Sequence, residues 1–390
     1  MVFDYKRLVR PNILSLEPYR CARDDFKEGI LLDANENTHG PSISDLSTSE
    51  DDLQLNRYPD PHQLELKQQI CNIRNQETPI EGEKVEVENL CLGVGSDESI
   101  DALMRCFLTP SKDKLLICTP TYGMYGICAT INDIEIVKCP LNLQSFQIQP
   151  EEILKVVQND PTIKLLYLTS PGNPTGQLID FSLVETILNA WEGGIVILDE
   201  AYIDFSPVGS SRSTLVNKYP NLIVLQTLSK AFGLAGIRLG ITFASKPISA
   251  LLNALKYPYN ISNLTSNIAL RATLPENVQE MRSKCKAICN EREFVIDSLT
   301  KLPNVGRVIG GLDANFILLQ FLDTNGKPSN EVAKKLYTTL ATENKVVIRY
   351  RGSELGCEGC LRISIGTREE NNTLIDQMSK VLPQVIKSST

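Results

Sequence analysis

Five short apolar runs do most to limit what this chain can fold into: LLICTP (115–120), DIEIVKCP (133–140), KLLYLTSP (164–171), GGIVILDEAY (193–202) and NLIVLQTLS (221–229). Each is too short for a buried helix and stops at a proline or a polar loop. Between 175 and 192, GQLIDFSLVETILNAW instead carries apolar residues three and four apart, the spacing of a helix. Strands of this kind separated by helical pattern predict βαβ units, and hence an α/β fold with a mostly parallel sheet covered on both faces. Past residue 285 the texture changes. REFVIDSLTKL and SNEVAKKLYTTLA read as amphipathic helices, NFILLQFL, KVVIRY and CLRISIG as strands, and NTLIDQMSKVLPQVI as a closing helix. A chain of 390 residues, 42% of them hydrophobic, can fill both a large core and this second, smaller α+β unit. The expected division is an N-terminal arm with part of the small domain at 1–52, a large domain at 53–284 and a small domain at 285–390.

Composition removes several classes of function. A net charge of −8 argues against a nucleic-acid surface. The two histidines, His39 and His62, are too few for a multi-histidine metal site, and no metal is expected. The start MVFDYKRLVR is too polar for a secretory segment, and no run approaches the ~18 apolar residues of a membrane span. A cytoplasmic, reducing compartment with free thiols is therefore expected for the eleven cysteines. Cys357 and Cys360 form a lone C-x-x-C, read as two free thiols beside a glycine turn, with a redox or weak metal role as the alternative.

In a parallel sheet, ligands sit beyond the carboxyl ends of the strands. Four strand ends carry unusual residues. CLGVGSDESI (91–100) places Gly93, Gly95, Ser96 and Asp97 at a turn that opens a helix, which is either an anion seat or an ordinary helix cap. SPGNPTG (170–176) fixes Asn173 in a constrained loop. LDEAY (198–202) puts Asp199 at the end of an apolar run, with Tyr202 three residues on. TLSKAFGLAGIR (227–238) supplies Thr227, Ser229, Lys230 and Arg238. A lysine at the end of a buried strand is costly unless its charge is paired or its amine is used. Taken jointly, a lysine amine can condense with an aldehyde, a buried carboxylate can hold a heterocyclic nitrogen protonated, and an anion seat can hold a phosphate. Those are the requirements of pyridoxal 5′-phosphate.

The same motifs, together with NILSLEPYR (12–20), LLDANEN (31–37), NRYPDP (56–61), TPTYGMY and CLRISIG (360–366), resemble the fold-type I pyridoxal-phosphate-dependent aminotransferases over nearly the whole chain. By that resemblance, Lys230 carries the cofactor covalently and Asp199 partners its ring nitrogen. Asn173 and Tyr202 bond the ring 3-oxygen, and Tyr122 stacks on the ring. Gly95, Ser96, Asp97, Thr227, Ser229 and Arg238 hold the phosphate. Tyr58 reaches the phosphate of a partner subunit, which implies a homodimer with shared sites. Arg362 clamps an α-carboxylate. Arg349 in KVVIRYRG takes a substrate phosphate, and Tyr19 and Tyr58 border that pocket. The implied reaction moves an amino group between L-histidinol phosphate and 2-oxoglutarate, giving glutamate. Arg351, two residues beyond Arg349, reads either as a neighbour on the same strand face or as a solvated turn residue. Ala231 follows the lysine where relatives often have serine, which takes nothing from the lysine's reach. A broad aromatic aminotransferase or a decarboxylase using the same cofactor shares these motifs. A nicotinamide-dependent dehydrogenase would need a glycine fingerprint that does not occur in the right context.

Overall fold

The computed structural model describes residues 3–18, 20, 25, 34, 36–37, 41–42, 47–77 and 84–388. Seven strands form the larger sheet: β1 (Leu90–Val94), β2 (Lys114–Thr119), β3 (Glu135–Pro140), β4 (Ile163–Thr169), β5 (Ile195–Asp199), β6 (Leu222–Thr227) and β7 (Leu239–Phe243). Their order is β1-β7-β6-β5-β4-β2-β3. The pairs from β3 through β2, β4 and β5 to β6 are all parallel, as the apolar runs predict. Alternation along these strands feeds two cores. Leu166, Leu168, Val196, Leu198, Leu222 and Val224 face one layer. Leu165, Tyr167, Ile195, Ile197, Ile223 and Leu225 face the other.

β7 escapes the strand-and-helix pattern and runs antiparallel to both β6 and β1. Only residues 228–238 join it to β6, with a short 3-10 turn at Ala235–Ile237. That link is too short for the helical crossover a parallel neighbour needs, so the chain returns antiparallel. The helix expected over 176–191 is confined to Phe181–Ala190, because the Asp180 carboxylate accepts the Ser182 N–H and starts it there.

The smaller sheet contains β8 (Val305–Ile309), β9 (Phe316–Phe321), β10 (Arg349–Tyr350) and β11 (Cys360–Ser364), in the order β10-β11-β9-β8 and entirely antiparallel. Helices Asn330–Thr342 and Arg368–Ser388 cover it through a core that includes Leu319, Phe321, Leu336, Ile363 and Met378. KVVIRY is strand only in its last two residues. Lys345 takes a left-handed φ of 57° and the Val346 N–H donates back to Leu340 O, which keeps 345–348 tied to the preceding helix. The expected division at 284/285 falls inside one continuous helix, Pro275–Leu299. Its first half packs Val278, Met281 and Cys285 against Tyr202 and Phe316, while Val295 and Leu299 belong to the small-sheet core.

A buried polar network anchors helix Leu64–Glu77 to this frame. Arg74 pairs with Asp204 and Glu77, both at 2.7 Å, and its Nε donates to Gln226 Oε1 at 2.8 Å. Glu77 in turn pairs with Arg282 of the long helix at 2.6 Å. Removing the guanidinium leaves Asp204 without its ion-pair partner and Glu77 with Arg282 alone, both largely shielded from water. Arg74→Met should therefore lower stability by about 3 kcal/mol in urea unfolding; a change below about 0.5 kcal/mol would show that the network carries no such weight.

Candidate active site

The parallel pleat brings the ends of β4, β5 and β6 to one edge, with Thr169 in register with Asp199 and the latter in register with Leu225. Asp199 is 3% exposed. Its Oδ2 accepts the Tyr125 hydroxyl at 2.7 Å and its Oδ1 accepts the Ala201 N–H at 3.1 Å. Burial pushes this carboxyl up to about 6, the two hydrogen bonds and the Lys230 charge opposing the rise and Asp97 adding to it. Tyr125 is fully buried and its hydroxyl also lies 2.9 Å from Thr169 Oγ1, itself 3.0 Å from Thr121 Oγ1. The sequence motifs do not single out Tyr125. Its signal is a tyrosine at the start of the apolar helix Met124–Ile131, where a buried hydroxyl needs a partner.

Lys230 follows β6 and is exposed, and its amine has no hydrogen-bond or ion-pair partner among the described residues. Its amine lies 5.5 Å from the centre of the Tyr202 ring. Desolvation holds it below the usual lysine range, the Arg362 charge adds to this, and Asp199 and Asp97 oppose it. Tyr202 meets Phe316 edge to face at 5.2 Å, and the Arg362 guanidinium lies 5.2 Å over the same Phe316 ring. Arg362 donates to Asn173 Oδ1 at 2.6 Å, which ties the β4 loop to the small sheet.

At the other end of the cleft, Gly95 caps helix Ser96–Phe107 with a φ of 76°. A Cβ on Gly95 would stand 2.4 Å from Arg238 Nη2, and one on Gly240 would stand 2.4 Å from the Gly95 carbonyl carbon. Only glycines let the helix N-terminus, Arg238 and β7 approach this closely. Arg238 also lies 3.5 Å from Asp97, whose carboxylate accepts the Tyr122 hydroxyl at 3.2 Å. Thr227 donates to Leu239 O at 2.9 Å and accepts the Ser229 N–H at 3.1 Å, which sets both hydroxyls beside the turn.

Contacts thus join Gly95, Asp97, Tyr122 and Arg238 into one group, which reaches Asp199 through Tyr125, whose ring meets Tyr122 edge to face at 5.6 Å, and join Lys230, Tyr202, Asn173 and Arg362 into another. Ser96 opens the helix at the glycine turn, and Thr227 and Ser229 lie beside Lys230. Arg349 is directly opposite Arg362 in the β10–β11 pair, so both side chains share a sheet face. Arg349 is exposed and has no side-chain partner among the described residues. Tyr58 stands apart, 52% exposed and stacked on Tyr259 with ring centres 4.6 Å apart. Tyr19 lies outside the described residues. Cys357 and Cys360 are buried free thiols, each pushed up to about 12 by burial. Among the described residues no cluster of His, Cys, Asp and Glu is placed to hold a metal, and no helix is long and apolar enough to cross a membrane.

The residues fit pyridoxal 5′-phosphate. The tight glycine cradle with Arg238 suits its phosphate, the desolvated Asp199 suits a cationic ring nitrogen, and the unpartnered Lys230 suits its aldehyde. The chain belongs to the class I and II aminotransferase family, whose model matches residues 27–378. It is 62% identical to the histidinol-phosphate aminotransferase of Candida maltosa, over 98% of this chain and 100% of that one. It is 53% identical to the enzyme of that name from Saccharomyces cerevisiae, over 98% of each. Its fold matches a histidinol-phosphate aminotransferase from Sinorhizobium meliloti solved with pyridoxal-5′-phosphate, with a TM-score of 0.71 and 21% identity over 92% of this chain and 90% of that one.

The raised Asp199 carboxyl has a measurable consequence in the cofactor-free protein. A carboxyl whose folded value lies above its unfolded one binds its proton more tightly when folded. Its contribution to stability is therefore complete below about 4 and is lost as pH rises through about 6. Between about pH 5 and pH 8, Asp199→Asn should gain roughly 1.5 kcal/mol on the wild-type apoprotein. Denaturant unfolding of both proteins at each pH measures it; a difference that does not change with pH contradicts a desolvated carboxyl.

Proposed function

We infer that this chain is a pyridoxal-phosphate-dependent histidinol-phosphate aminotransferase. It transfers the amino group of L-histidinol phosphate to 2-oxoglutarate, giving imidazole acetol phosphate and L-glutamate, a step of histidine biosynthesis. The observation that carries this reading is the pairing of Arg349 with Arg362 on one face of the small sheet, with the Arg362 charge reaching Lys230. One substrate has an α-carboxylate and the other has only a phosphate at its far end. A site that takes both in turn needs two guanidinium groups.

Bound in the cleft, pyridoxal phosphate supplies an aldehyde and a ring that withdraws electrons from the substrate Cα. Asp199 keeps the proton on the ring nitrogen, where an ionised carboxylate in a dry site interacts strongly. With the cofactor bound, Lys230 would be the base that takes the proton from the substrate Cα, a role suited to an amine held below its usual range. Asn173 and Tyr202 bond the ring 3-oxygen, and Tyr122 packs on the ring face. The Ser96 and Asp97 N–H groups at the helix start, the Thr227 and Ser229 hydroxyls and Arg238 would hold the phosphate, with Gly95 giving room for the turn. Arg362 binds the α-carboxylate of glutamate, and Arg349 binds the substrate phosphate. The cytoplasm is the compartment this reading expects.

We further propose a homodimer in which Tyr58 completes the partner's site, which accounts for an exposed tyrosine in the NRYPDP loop. Mixing Tyr58→Phe chains with Lys230→Ala chains should restore part of the activity through heterodimers holding one intact site. Activity no higher than that of the separate variants would count against shared sites.

The reaction class is read by supplying glutamate alone, which should yield one equivalent of 2-oxoglutarate per site and no carbon dioxide. With both substrates, parallel double-reciprocal plots are expected, because the two half-reactions use one site in turn. Arg349→Ala should lower kcat/KM for histidinol phosphate by roughly 100-fold or more, and by less for an unphosphorylated aromatic amino acid. Equal losses would make the protein a general aromatic aminotransferase.

A further inference from the structure

The edge of the small sheet continues past β10. The Arg351 N–H donates to Cys360 O at 3.0 Å, so the strand pairing runs one residue further than the Arg349 and Tyr350 pairs. With a period of two, Arg351 falls on the face that Arg349 and Arg362 share. It is not a solvated turn residue. Its side chain is 23% exposed, and its Nη1 lies 2.8 Å from Glu354 Oε1. The Glu354 N–H donates to Arg351 O at 3.0 Å, closing the turn that holds the two side chains together.

The surroundings of this pair are unusual for a surface ion pair. Arg351 Nε and Arg362 Nε are both buried without a hydrogen-bond acceptor. After desolvation, the Arg351 charge is the largest influence lowering the Arg362 guanidinium, ahead of that of Arg349. Arg351 also acts on the Tyr202 hydroxyl within the cleft. Burial raises the Glu354 carboxyl even though Arg351 opposes the rise. Three guanidinium groups and one carboxylate therefore share this face, a formal sum of two positive charges. A phosphate dianion carries the matching charge, and so do the two carboxylates of glutamate.

We propose that Arg351 and Glu354 set the charge selectivity of the distal pocket: Glu354 holds Arg351 while the pocket is empty and yields it to a substrate carrying two negative charges. The inference rests on the aminotransferase reading above and assigns a determinant to its substrate class. A neutral side chain in the pocket leaves the internal pair undisturbed and gains nothing from it. A dianion gains a second charge-assisted partner beside Arg349. Glu354 thus acts through Arg351, as a competitor for its guanidinium.

The test uses the cofactor-loaded enzyme and a double-mutant cycle. Arg351→Gln should raise KM for histidinol phosphate and Ki for inorganic phosphate by roughly tenfold, with a larger effect on KM than on kcat and partial recovery in Arg351→Lys. Glu354→Gln should lower both constants by roughly threefold, and this gain should vanish in the Arg351→Gln background. A neutral aromatic amino acid should show changes of less than about twofold in KM in either variant. An effect of Glu354→Gln that is the same in both backgrounds overturns the proposal, and so does a phosphate Ki unaltered by Arg351→Gln. If wild-type enzyme does not turn over histidinol phosphate, the functional reading fails instead, and the inhibition constants for inorganic phosphate still decide whether the pair selects anions.

Discussion

A carboxylate withheld from water at the end of a central strand is the constraint around which this cleft is organised. Asp199 lies at the C-terminal end of β5, with strands on both sides and the fully buried Tyr125 against its Oδ2. Left alone, such a group holds its proton up to about pH 6. A cationic ring nitrogen reverses that balance, because ionic attraction in a dry site exceeds what the same pair would give in water. On the proposed reading, electron withdrawal by the cofactor depends on a packing decision made by the sheet.

The opposite face of the same strand end is occupied with equal care. Glu200 is 1% exposed and accepts hydrogen bonds from the Ser211 hydroxyl, the Arg212 N–H and the Gln226 amide. Gln226 precedes Thr227 and also accepts from Arg74. Burial lifts the Glu200 carboxyl to about 7 against those bonds. Two adjacent acids therefore point to opposite sides of β5. One faces the chemistry, and the other pins β5 to β6 and, through Arg74 and Glu77, to the long helix that carries Arg282. The strand ends bearing Asp199 and Lys230 are held together from behind.

Specificity is built on a different frame. The small sheet presents Arg362, Arg349 and Arg351 on one face, and Arg362 reaches Asn173 on the β4 loop. On the proposed reading, the cofactor end relies on one desolvated acid and a glycine cradle, while the substrate end relies on several charges whose mutual repulsion needs counter-ions. That difference in physical design lets the same cofactor chemistry serve partners with different distal groups.

Much of this was legible in the residues themselves. The apolar runs marked β2, β4, β5 and β6 because strands buried on both faces leave an unbroken hydrophobic signature, which β3, partly exposed at the sheet edge, carries only in part. Lys230, Asp199, Asn173 and the Gly95 turn stood out because each is chemically expensive or conformationally unusual at a strand end. β7 was not legible, since its direction depends on a connection too short for a crossover and not on its own five residues. Tyr125 was missed because a buried hydroxyl is recognisable only once its acceptor is in place. KVVIRY looked like a full strand, yet Lys345 and Val346 remain tied to the preceding helix and leave only Arg349 and Tyr350 to pair. By itself the sequence determined which segments are buried, where the reactive groups fall along the chain, and the class of cofactor they suit, since those follow from local pattern and side-chain chemistry. Only the tertiary structure decided which groups meet: Tyr125 with Asp199, Arg362 with Asn173, Arg74 with Asp204. Pairings of that kind depend on strand order and register, which arise from contacts far apart in the chain.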